Sequence, residues 1–161
     1  MTWKPSEPPS HPSDQKRSTA AWPVPEPADV IHYAYLWSRE ADEGRDEARK
    51  DRPVVIVVAT IKAEDRVEML VAPITHSPPL PGQGMLVPSA VKRRLGLDGD
   101  PSWIVTNEMN RFTWPGPDVR VPKESDTPLY GAIPASLYDK IREEILRNAG
   151  SGKVRMPTRT E

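Results

Sequence analysis

Two short apolar runs separated by a polar break constrain this chain more than any other feature. Val54-Val55-Ile56-Val57-Val58 follows Arg52-Pro53, and Val67 to Val71 leads into Pro73-Ile74-Thr75-His76, with Lys62-Ala63-Glu64-Asp65 between them. Runs of about five residues rich in β-branched side chains are too short for a helix and suit strands buried on both faces. The polar break makes the pair an antiparallel hairpin. Folded within that break, the hairpin sets Val58 against Leu70, Val57 against Val71 and Thr60 against Glu68, and a fold point half a residue earlier brings Arg52 level with Thr75. Directly opposed side chains have Cβ atoms roughly 5 Å apart. One cation and one hydroxyl therefore meet at the open end of the hairpin.

Composition narrows what such a hairpin belongs to. A length of 161 residues fits one domain with tails. With no cysteine, disulfides and thiolate metal sites are excluded, and nothing points to an oxidising compartment. A net charge of −1 says nothing for or against nucleic acid, so any RNA surface has to be a local basic patch. No apolar run approaches the roughly 18 residues of a membrane span, and the N-terminus lacks a signal-peptide core. The expectation is a soluble cytoplasmic protein with no membrane partner.

Along the chain, residues 1 to 26 read as a disordered Pro-rich arm, with Trp22 either free or tucked against the domain. Asp29 to Trp37 reads as a strand. Ser38 to Asp51 is a charged connection with six acids and four bases, part of which suits a helix. After the hairpin, Met85 to Pro88 forms a short strand. A short helix follows, with Ser89 as N-cap, Val91 and Leu95 on one face and Gly96 as C-cap. Trp103 to Asn107, Arg111 to Trp114 and Leu129 to Ile133 are further strands. Pro134 then opens a helix whose Leu137, Ile141 and Ile145 repeat every four residues. Five to seven short strands with one terminal helix predict a mainly β, strongly curved antiparallel barrel over residues 27 to 147. Residues 148 to 161 are expected to form a disordered tail.

Chemistry is sparse. His11, His32 and His76 lie apart, so the expectation is no metal site; no phosphate-binding glycine loop or nucleophile elbow appears, so no cofactor is expected either. Arg52 and Thr75 remain, since a guanidinium holds phosphate bidentately and a neighbouring hydroxyl donates to a non-bridging oxygen. Both also have ordinary explanations, as a solvated residue before a strand and a strand-end threonine bonded to its own backbone. His76 offers an imidazole, a side chain suited to acid–base work or phosphate contact, although a loop histidine is often idle. Asn107, Arg111 and Trp114, together with Lys92 and Arg93 in a run of three adjacent bases, form a candidate RNA surface. Trp103 reads as core, and Trp114 serves equally well to pin the Pro115 turn.

The order of these segments resembles the PemK/MazF family of growth-inhibitor toxins. The resemblance rests on Asp29-Val30-Ile31 entering the first strand, Arg52-Pro53-Val54-Val55-Ile56-Val57 after a charged loop, and Pro73-Ile74-Thr75 ending the next strand. It runs over residues 27 to 147. It implies a homodimeric SH3-like barrel that cuts single-stranded RNA such as mRNA without metal, as the toxin of a type II toxin–antitoxin pair held in check by an antitoxin protein. Arg52 and Thr75 then match the catalytic arginine and threonine. The implied reaction is attack by the substrate's 2′-hydroxyl, leaving 2′,3′-cyclic phosphate and 5′-hydroxyl ends. Two alternatives share the fold: a non-catalytic, gyrase-type protein poison, and a degenerate member without toxicity. Ala28 stands where the family usually has glycine, and His76 where it has a small polar residue. The net acidic connection of residues 38 to 51 has to swing aside or act as a gate for RNA to reach Arg52.

Overall fold

The two apolar runs lie at the centre of one antiparallel sheet. The computed structural model describes residues 22–44, 51–62 and 66–157. Within them the chain forms β1 (Asp29–Tyr33), α1 (Ser38–Asp42), β2 (Arg52–Ile61), β3 (Val67–Thr75), β4 (Gly84–Leu86), α2 (Ser89–Leu95), β5 (Trp103–Val105), β6 (Asn110–Trp114), β7 (Leu129–Ala132) and α3 (Ala135–Gly150). The strand order is β4-β5-β3-β2-β1-β7, with β6 also on β3, and every pairing is antiparallel. One edge of β3 serves two neighbours, pairing Val67–Val71 with β6 and Ile74–Thr75 with β5. The result is the mainly β, barrel-like fold expected from the sequence, with a C-terminal helix and a short helix between strands. Among the described residues no helix is long and apolar enough to cross a membrane.

Both faces of the central strands are buried, which is why their apolar runs are continuous rather than alternating. Val30, Val55, Val57, Ala72 and Ile74 join α2 and α3 in one cluster. Ile31, Val54, Ile56, Met69 and Val71 join Tyr33, Tyr35, Phe112 and Trp114 in the other. Val91 and Leu95 of α2, and Ile141 and Ile145 of α3, are the buried positions their spacing predicts.

The hairpin register contains a correction. Val58 faces Leu70 and Thr60 faces Glu68 as expected, but Ile56, not Val57, faces Val71. Val57 is the extra residue of a β-bulge, its side chain in the first cluster and its carbonyl accepting the Tyr138 hydroxyl of α3 at 2.6 Å. The register beside the turn, continued unchanged, would set Val54 against Ile74; the extra residue sets it against Pro73 instead.

Other expectations are adjusted at the ends of elements. β1 stops at Tyr33 because Ala34 donates to the Asp118 carbonyl at 2.8 Å, and the Asn110 side chain bonds both the amide and the carbonyl of Leu36 at 2.8 Å. Pro88, not Ser89, is the N-cap of α2, and Gly96 closes it at φ 72°. β4, β5 and β7 end before Pro88, Asn107 and Ile133, and β6 starts one residue early at Asn110. The tail from 148 is structured as far as it is described. α3 runs to Gly150, and Arg155 and Pro157 lie along the 107–111 segment through backbone bonds of 2.8–3.3 Å. Trp22 packs 6.5 Å from Trp114, so the described end of the arm is docked. Residues 1–21, 45–50, 63–65 and 158–161, including most of the predicted arm and part of the acidic connection, lie outside the described residues.

Candidate active site

Strand alternation assembles the site. Arg52 continues the face of Val54 and Ile56, and Thr75 continues the face of Val71 on the neighbouring strand. Both side chains emerge where the second cluster ends, in a cavity of about 420 Å³ that they line with Trp37, Arg39, His76 and Ser77. An adjoining cavity is lined by Asp51, Arg52, His76, Lys92 and Asp98.

The Arg52 guanidinium lies 4.9 Å over the Trp37 ring. Its Nε is buried and has no hydrogen-bond partner among the described residues. Burial lowers its pKa, opposed chiefly by Glu40, yet an arginine starts so high that it stays a cation at neutral pH. A buried donor on a permanent cation is costly to leave without an acceptor. Arg52 also lines the cavity, so its charge attracts an anion there.

The wall behind Arg52 is braced. Trp37 packs edge-on to Tyr35 at 5.1 Å, and the Tyr35 hydroxyl donates to Glu108 at 2.8 Å. Burial, then Glu108, pushes the Tyr35 pKa well above its ordinary 10.0. Glu108 also accepts from the Ser38 amide and hydroxyl, each at 3.0 Å. The charged side chains of α1 are partnered in different ways. Glu40 is buried and accepts from the Trp37 amide at 3.1 Å, Asp42 pairs with Arg155 at 2.7 Å, and Arg39 lines the cavity. At the other end of the connection, Asp51 lines the adjoining cavity with Arg52.

Thr75 makes the local contact typical of strand-end threonines, its oxygen accepting the Ser77 amide at 3.2 Å. That leaves its hydroxyl hydrogen available as a donor. His76 is exposed and not idle: its Nε2 lies 2.9 Å from one Asp98 oxygen and 3.1 Å from the other. The chain separation of 22 residues hides this pair from sequence inspection. Asp98 also accepts from Lys92 at 2.8 Å, and that bond is the main cause of its lowered pKa.

Several sequence-predicted RNA contacts are relocated. Lys92 is 5% exposed, with its ammonium bonded to Asp98, to the Asp100 carbonyl and to Ser102 at 2.7 Å, so it is a structural cation and not a phosphate contact. On the helix it flanks the face of Val91 and Leu95 no more closely than exposed Arg94 does, so helical spacing does not mark it as inward. Arg93 is exposed beside a separate groove with Leu86 and Ser89. Trp114 is core, 2% exposed, because Asn110, Phe112 and Trp114 alternate inward along β6. Asn107 and Arg111 bond the C-terminal segment through their backbones, and the exposed Arg111 side chain reaches the Met156 sulfur at 3.5 Å. Trp103 is partly buried opposite Thr75.

Ligating atoms of His76, Asp98 and Asp100 also come within 4.8 Å of one another, a grouping the sequence reading did not anticipate. Lys92 already brings a positive charge to Asp98 there. Compared with known proteins, the chain matches no family model, no curated protein and no solved structure.

Proposed function

We propose that this protein is a metal-independent endoribonuclease of the PemK/MazF growth-inhibitor kind, cutting single-stranded RNA in the cavity between Arg52, Thr75 and His76. The supporting observation is the Arg52 cation, stacked on Trp37 with no partner for its buried Nε among the described residues, and lining the same cavity as the Thr75 hydroxyl and the His76 imidazole. Arg52 and Arg39 neutralise the scissile phosphate, and Thr75 donates to a non-bridging oxygen. His76 takes the proton of the attacking 2′-hydroxyl. The 2′-oxygen–phosphorus bond forms, the bond to the 5′-oxygen breaks, and the 5′-oxygen acquires a proton from the imidazolium or from water. Preorganised donors of this kind contribute roughly 10²- to 10³-fold in rate each. A homodimer and a neutralising antitoxin protein are the partners that accompany this reading.

The test is incubation with single-stranded RNA in EDTA. Wild type cleaves, and Arg52→Ala and Thr75→Val lower the rate at least about 100-fold and 10-fold. Undiminished cleavage by Arg52→Ala, or none by wild type, refutes the reading. Growth inhibition that survives loss of both residues would replace it with a non-catalytic poison.

A further inference from the structure

Among the described residues, His76 is held by Asp98. Its Nε2 meets Asp98 at 2.9 Å, and Asp98 is fixed in turn by the Lys92 ammonium at 2.8 Å and the Asp100 amide at 3.1 Å. Lys92 is buried and tied to Ser102 at 2.7 Å and to the Asp100 carbonyl, so it anchors the turn after α2 as a rigid post. A carboxylate engaged by an ammonium and an amide is an acceptor only. The imidazole nitrogen that meets it must therefore carry the hydrogen. That leaves Nδ1 with its lone pair, on a ring that lines the cavity of Arg52 and Thr75.

We propose that Asp98, locked by Lys92, is a positioning residue that fixes His76 with Nε2 as donor and so makes Nδ1 the atom that accepts the proton of the attacking 2′-hydroxyl. This rests on the ribonuclease reading above. When Nδ1 takes the proton as the 2′-oxygen–phosphorus bond forms, the imidazolium is paired with Asp98. The proton then passes to the departing 5′-oxygen or to water, and the ring returns to its starting state. Lys92 acts at one remove, because its charge keeps Asp98 ionised and its three bonds keep the carboxylate from following the ring.

The experiment is a double-mutant cycle on single-stranded RNA cleavage with the full chain. A general base contributes roughly 10²- to 10⁴-fold, and losing its orientation forfeits part of that. Asp98→Asn is expected to lower kcat about 10- to 100-fold while KM stays within about 2-fold. In a His76→Ala background the same substitution is expected to change kcat by less than about 2-fold, since there is no ring left to position. A proton NMR resonance of the His76 ring N–H, present in wild type and lost in Asp98→Ala, reads the geometry without reference to RNA. If the asparagine variant fails to fold, Asp98→Glu, which keeps the acceptor and the partner for Lys92, retains more than half of that resonance and of kcat. Wild-type kcat in Asp98→Asn, or an equal loss in both backgrounds, overturns the proposal and leaves the ribonuclease reading standing. Absence of cleavage by wild type overturns that reading and this proposal with it.

Discussion

Replacing Tyr138 by phenylalanine removes one atom and tests whether α3 holds the register of the hairpin. The Tyr138 hydroxyl donates to the Val57 carbonyl at 2.6 Å, and Val57 is the bulge residue without a direct partner across the ladder. A net hydrogen bond is worth about 0.5–1.5 kcal/mol, and a buried carbonyl left without a donor costs about 1–3 kcal/mol. Tyr138 is only partly buried, so water relieves part of that cost, and the ring keeps its packing against the first cluster. The expected loss is about 1–1.5 kcal/mol, read from urea unfolding followed by tryptophan fluorescence at pH 7. The bond also carries a pH signature. Burial raises the folded-state pKa of Tyr138 above its ordinary 10.0. Its contribution is therefore complete below about pH 10 and is lost as pH rises through the folded-state value. Wild type and Tyr138→Phe should converge in stability above that point, while the other tyrosines, common to both, cancel in the difference. A variant as stable as wild type at pH 7, or a stability gap unchanged in alkali, would refute the role assigned to this hydroxyl.

Two further substitutions probe the frame of the site. Asn110→Ala removes the side chain that satisfies both the amide and the carbonyl of Leu36 at 2.8 Å in a fully buried position. With two backbone groups stranded, unfolding should become easier by about 2–4 kcal/mol, and a loss under about 1 kcal/mol would mean that the Ala34–Trp37 segment is held by something else. Ala28 sits at φ 83°, the left-handed region that costs a non-glycine residue about 1–2 kcal/mol. The greater freedom of glycine in the unfolded chain offsets about 0.4–1 kcal/mol of the relief. Ala28→Gly should therefore raise the thermal midpoint slightly, and a lower midpoint would contradict the strain.

The parts of the fold that were legible in the sequence are those written in local periodicity. Val54 to Val57 form a strand segment buried on both faces, although Val58 at the end of the run is exposed, and Val91, Leu95, Ile141 and Ile145 mark the inner sides of two helices. The hairpin was legible as well, although the bulge at Val57 was not, since the hydroxyl that meets its carbonyl belongs to Tyr138, 81 residues away. Lys92 was misread because its neighbours Arg93 and Arg94 make it look like part of a basic patch. A helix turns through about 100° per residue, which separates adjacent side chains onto different faces. Trp114 was misread for the analogous reason in a strand. Asp98 was invisible since nothing in the residues after Gly96 says that the turn folds back onto His76. The docked segment around Arg155 was equally hidden, its polar composition resembling a free tail.

The most direct measurement is the chemistry of the product ends. An RNA carrying a single 2′-deoxy sugar at the cleaved position, compared with its all-ribose counterpart in EDTA, tests whether the 2′-hydroxyl is the nucleophile that Arg52, Thr75 and His76 are arranged to serve. The ribose strand should yield 2′,3′-cyclic phosphate and 5′-hydroxyl ends, and the substituted strand should resist cleavage at that position. Cleavage of the deoxy position, or products ending in 5′-phosphate, would mean that water and not the 2′-hydroxyl attacks, and would contradict the role given to the cavity.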